Sequence, residues 1–110
     1  YRFHTRVLRP WGSATTIRAE KSLQIRMLEI SPGSKLSKQI HQHRSEHWVV
    51  IEGKAEVLNG SKNKTFLAGE STFIPKGTIH QLGNPTGNSL QLLEVQMGEY
   101  LGDKDIERFE

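Results

Sequence analysis

From Leu23 to Gly98 the chain is a succession of short apolar runs rich in Val, Ile and Leu, each closed by Gly, Pro or Asn. The runs are SLQIRMLEI, KLSKQIHQH, EHWVVIEG, KAEVLNG, KTFLAG, STFIPKG, TIHQLGN and SLQLLEVQMG. Turn signals recur about every eight to ten residues, the rhythm of an all-β sandwich or barrel. Residues 1–21 are polar and mixed, punctuated by Pro10-Trp11-Gly12, and read as an N-terminal arm that packs on a barrel built later. Only the tail, Tyr100 to Glu110, has room for a short C-terminal helix. No internal repeat, low-complexity segment or linker interrupts the pattern, so a single domain over residues 1–110 is expected.

Composition narrows what such a scaffold can do. At 110 residues there is room for one modest core and no separate cofactor-binding unit. The 15 Lys and Arg are offset by 12 Asp and Glu and never gather into a long basic run, which argues against nucleic acid and for a surface receptive to small anions. With no cysteine, a disulfide framework, a thiolate metal site and a cysteine nucleophile are all excluded, in keeping with a cytoplasmic location. No apolar run approaches the roughly 18 residues of a membrane span, and the opening YRFHTRVLRPWGS is no signal peptide, so no membrane partner is expected. A first residue of Tyr1 suggests a trimmed chain or a domain cut from a longer protein.

The segment HQHRSEHW, His41 to Trp48, concentrates three of the five histidines and a glutamate in eight residues. His43-Arg44-Ser45-Glu46-His47 matches H-x-x-E-H, a zinc-peptidase motif that needs a helix to bring residues four apart onto one face. Trp48-Val49-Val50-Ile51 is β-forming and Gly53 ends it, which denies that helix. On a strand, residues two apart share a face, so Gln39 and His41 look the same way, with His43 the next candidate in step. A turn through Gln42 to Ser45 then brings Glu46 back on the neighbouring strand, and His80, after Pro75-Lys76-Gly77, is the distant partner. Two imidazoles, a carboxylate and an amide oxygen suit one divalent ion, zinc first, with cobalt, manganese, nickel or iron as alternatives.

Two spaced patterns resemble the motifs of the cupins, which are jelly-roll proteins. The first is Gly33, five residues, Gln39, one residue, His41, four residues, Glu46, six residues, Gly53. The second is Gly69, five residues, Pro75, one residue, Gly77, two residues, His80, three residues, Asn84. Gln39 replaces the usual first metal histidine, and glutamine there is similar to the phosphomannose isomerases. RPWGS, QIHQHRSEHWVV, FIPKGTIHQLGNP and LLEVQMGEYLGDKDIERFE extend the resemblance to the type II enzymes, whose isomerase domain usually follows a mannose-1-phosphate guanylyltransferase domain.

That resemblance implies a cupin double-stranded β-helix that interconverts mannose 6-phosphate and fructose 6-phosphate through an enediolate, in nucleotide-sugar supply for polysaccharide. It implies metal ligation by Gln39, His41, Glu46 and His80, with His43 the rival of Gln39. Arg44 is the candidate phosphate clamp at the cavity mouth, assisted by Arg26, Lys35, Lys38, Lys76 or Arg108. Arg9 reaches either an anion or water. His43 is the candidate general base, with Lys38 as the alternative that needs desolvation to act at neutral pH. His47 reads as structural and Trp48 as core. An open sandwich leaves edges to cover, which points to a homodimer. A non-catalytic sugar-phosphate-binding module, or a cupin dioxygenase or epimerase, fits the same fold; Gln39 argues mildly against the dioxygenase.

Overall fold

The computed structural model describes residues 5–99 and 106–109 of the chain. Among them lie eleven strands: β1 (Thr5–Arg9), β2 (Gly12–Ala19), β3 (Leu23–Ile30), β4 (Lys38–His41), β5 (Arg44–Glu52), β6 (Lys54–Asn59), β7 (Lys62–Leu67), β8 (Ser71–Ile74), β9 (His80–Gly83), β10 (Leu90–Gly98) and β11 (Ile106–Phe109). They form a six-stranded sheet, β1-β2-β3-β10-β5-β8, and a five-stranded sheet, β11-β4-β9-β6-β7. Every pairing is antiparallel. This is the all-β sandwich that the turn rhythm predicts, in the double-stranded β-helix form that the cupin resemblance implies. Among the described residues, no helix is long and apolar enough to cross a membrane.

Two ends of the chain differ from expectation. The anticipated arm forms the β1–β2 hairpin, which extends the six-stranded sheet through pairing of β2 with β3. Its turn needs Gly12, whose φ of 149° and approach to the Glu29 carbonyl leave no room for a side chain. Where the sequence left room for a short helix, Ile106–Phe109 is a strand paired with Lys38–His41, because the open edge of β4 takes up its backbone groups. The remainder of that tail, 100–105 and 110, lies outside the described residues.

Alternation along the central strands builds the interior. Leu28 and Ile30 of β3, Val50 of β5, and Leu90 and Leu92 of β10 are buried side by side. They pack against Ala55 and Val57 of β6 and Leu82 of β9 from the facing sheet. The same inward faces continue, two residues at a time, into Arg26, Glu94 with Gln96, and Trp48 with Glu46 and Arg44. One half of the sandwich is thus a dry core and the other a polar cavity.

Candidate metal centre

The chain passes from β4 to β5 through Gln42 and His43, and in doing so crosses from one sheet to the other. A carboxylate on β5 therefore meets β4 across the sandwich, and not on a hydrogen-bonded neighbour as the sequence suggested. Gly98 permits the crossing: a Cβ there would lie 2.1 Å from the His43 carbonyl oxygen. His41 at the end of β4, Glu46 on β5 and His80 at the start of β9 converge, with one ligand atom from each within 4.8 Å of the others. All three are buried, and the His41 and His80 rings stand 4.9 Å apart.

Each of these side chains is held by a partner. His41 Nε2 lies 2.8 Å from Glu46 Oε2. The Trp48 indole N–H donates to the other oxygen, Oε1, at 2.8 Å, and the Trp48 ring stands edge-on to His80. His80 Nδ1 is 3.0 Å from the Thr78 carbonyl. A carbonyl only accepts, so Nδ1 carries the proton and Nε2 offers a lone pair toward the cluster. Burial outweighs the pull of Glu46 and lowers the His80 pKa, which favours the neutral imidazole that binds metals.

Glu94 and Glu46 face one another behind the cluster. Burial alone would raise the Glu46 pKa, but hydrogen bonds from His41 and Glu94 and the nearby imidazoles bring it to about 2. Glu94 is pushed up to about 8 by burial and by the Glu46 charge, against the pull of Arg26. The Arg26 guanidinium donates from Nε to Glu94 Oε1 at 2.7 Å, and Gln96 Nε2 donates to the same oxygen at 3.0 Å. A cavity of about 750 Å³ opens onto this assembly between the sheets.

Not all the residues singled out in the sequence reach that cavity. Gln39 does: it lines the space, pairs in register with His80, and donates from Nε2 to Ser37 Oγ at 3.3 Å, leaving its amide oxygen as the acceptor. Arg44 also lines it, but as a wall residue only 3% exposed whose Nη1 donates to Gln96 at 3.2 Å, not as an arginine at the mouth. Lys38 is exposed and alternates away from Gln39, and His43 is exposed in the crossing turn; neither lines the cavity. His47 is exposed against Phe73, facing away from Glu46 as alternation requires. Trp48 is core, as expected, and a site residue too.

Sequence reasoning missed Glu94 and Gln96 as members of the site and gave Arg26 only an assisting role. The signal was their parity: Glu94 and Gln96 fall in step with Leu90 and Leu92, and Arg26 with Leu28 and Ile30.

The family described as Mannose-6-phosphate isomerase C-terminal matches residues 1–110. The chain belongs to that family. It is 44% identical over 108 residues to Xanthan biosynthesis protein XanB of Xanthomonas campestris pv. campestris, covering 98% of this chain and 23% of that protein. Mannose-1-phosphate guanylyltransferase RfbM of Salmonella typhimurium is 44% identical over 110 residues, 100% of this chain and 23% of that protein. This member of the isomerase family thus spans under a quarter of the length of these relatives. Among solved structures, a conserved Klebsiella pneumoniae protein with a double-stranded β-helix domain superposes with a TM-score of 0.76 at 20% identity, over 87% of this chain and 82% of that one. That likeness shows the double-stranded β-helix fold.

The donor set fits a divalent ion. Two imidazole nitrogens and a carboxylate oxygen are buried, oriented and close, and the outer partners of Glu46 and His80 are of the kind that fix ligand geometry.

Proposed function

We propose that this domain is a metal-dependent mannose-6-phosphate isomerase that interconverts mannose 6-phosphate and fructose 6-phosphate to supply nucleotide sugar for polysaccharide. The observation that carries this reading is the buried His41, Glu46 and His80 cluster opening onto a roomy polar cavity, in a chain of the mannose-6-phosphate isomerase C-terminal family. His41, Glu46 and His80 hold the ion, with the Gln39 amide oxygen as fourth donor. Zinc is the first choice, and cobalt, manganese, nickel and iron suit the same donors. When bound, the ion supplies a Lewis acid for the oxygens on which enediolate charge develops.

The chain's own residues do the rest. Trp48 and Thr78 keep the Glu46 and His80 ligand atoms aimed at one point. The cavity between the sheets gives the sugar room beside that point. A proton must also leave one carbon and return to its neighbour, which needs an acid–base side chain on the cavity wall. His43 and Lys38 are off that wall, whereas Glu94 is on it, outside the ligand set. The homodimer belongs to the same reading: β1 is an edge strand exposed along its length, and sedimentation of the metal-loaded protein tests it. A cytoplasmic site of action is part of it as well.

The deciding experiment strips the protein of metal, reloads it with each of the five ions and follows fructose 6-phosphate formation. Turnover with at least one ion, lost on chelation, is the expected result. Binding of mannose 6-phosphate without turnover by any ion would overturn the isomerase reading in favour of a binding module.

A further inference from the structure

The cavity is lined by four arginines and two carboxyl groups. Both carboxyls are engaged within the wall: Glu94 by Arg26, and Glu46 by His41 and Trp48. Arg44 is buried there against Gln96. Arg9 and Arg108 differ from these. Arg9 ends β1, the outermost strand of one sheet, and Arg108 lies on β11, the outermost strand of the other. Both are exposed, so their guanidinium groups stay hydrated until a ligand arrives. Among the described residues, neither has a carboxylate partner.

We infer that Arg9 and Arg108 form the phosphate subsite of this cavity, a clamp that reaches from both sheets across the open side of the sandwich. The inference rests on the sugar-phosphate reading above. Packed sheets lie about 10 Å apart, a gap that two arginine side chains from opposite edges can close on one phosphate. Planar guanidinium groups hold phosphate oxygens bidentately, and two of them match a dianion. Register supplies the geometry of the rest of the ligand. Arg108 sits opposite Gln39, and Gln39 opposite His80, so clamp and metal cluster share one row across β11, β4 and β9. Two strand spacings are about 10 Å, comparable to an extended six-carbon sugar with a terminal phosphate. The phosphate would therefore rest at the open edge with the far end of the sugar at the metal cluster.

The test uses the metal-loaded protein, with Arg9→Gln, Arg108→Gln and the double variant beside it. Binding of mannose 6-phosphate, mannose and inorganic phosphate is followed by the fluorescence of Trp11 and Trp48, both of which line the cavity. Each single change should weaken mannose 6-phosphate binding by roughly 10–150-fold, the range for a charge-assisted contact, and raise KM more than it lowers kcat. The double variant should no longer prefer the phosphorylated sugar, with metal content and melting temperature unchanged. Hydrogen exchange in β1 and β11 should slow when wild type binds mannose 6-phosphate, and not in the double variant. If wild type prefers mannose 6-phosphate and the double variant prefers it equally, the clamp is wrong and the isomerase reading stands. If wild type does not discriminate the two sugars, the sugar-phosphate reading falls and the clamp with it.

Discussion

The two halves of the sandwich interior are made by the same strands and obey opposite rules. Along β10, Leu90 and Leu92 are fully buried among aliphatic side chains, while Glu94 and Gln96, just as inward, sit only 3% exposed among charged and polar ones. Along β5 the change runs the other way, from Arg44 and Glu46 through Trp48 to Val50. The apolar half gains from leaving water and needs no special geometry. The polar half is stable only because nearly every group has a partner: Arg26 with Glu94, Glu94 with Glu46, Glu46 with Trp48 and His41. What the difference teaches is that the site is carried by the core and adds specificity to it, not mass.

The sharpest way to break this division is Glu94→Gln. If Glu94 moves the proton, turnover falls by roughly 100- to 10,000-fold, the usual contribution of an acid–base group, while the ion stays bound. Steady-state kinetics on protein of known metal content decides it, and turnover near wild type would return Glu94 to a structural role. In the apolar half, Leu92→Ala should cost about 2–5 kcal/mol of stability by urea denaturation, with one ion still bound per folded chain. Across the boundary the effects invert. Glu46→Gln and His80→Ala should each abolish metal binding by mass spectrometry, yet leave the circular dichroism of a folded β domain. A variant that retained its metal would remove that residue from the ligand set.

Trp48 stands on the boundary itself, core by burial and site by its indole N–H. Trp48→Phe keeps most of the packing and deletes the bond to Glu46, so metal affinity should fall by roughly 10–100-fold, the cost of losing a ligand's outer partner. Competition titration against a chromophoric chelator measures this, and unchanged affinity would make Trp48 core alone. The smallest effect expected is that of Gln39→His, which should tighten metal binding by about tenfold, imidazole being the better donor, and lower turnover. An unchanged affinity would place Gln39 outside the ligand set.

The fold was legible because each apolar run between turn signals is a strand of β3 to β10. The hairpin strand GSATTIRA was not, since small and polar residues give a weak period, and β11 was not, since its pairing depends on the open edge of β4. Within the site, His41, Glu46 and His80 were readable from spacing. Glu94 was hidden by its neighbours: Leu93 and Val95 look like the inward face of β10, and alternation alone does not say which parity is inside. Only the neighbouring strands settle that. Likewise His43 seemed close to the site in sequence, but the chain uses it to cross between sheets.

The central claim is that His41, Glu46 and His80 hold one divalent ion at the floor of the cavity, and anomalous diffraction from crystals of zinc-loaded protein tests it most directly. A single strong peak should lie about 2.0–2.2 Å from His41 Nε2, a Glu46 carboxylate oxygen and His80 Nε2, displacing the direct His41 to Glu46 contact. Zinc elsewhere on the chain, with that contact intact at 2.8 Å, would contradict the account.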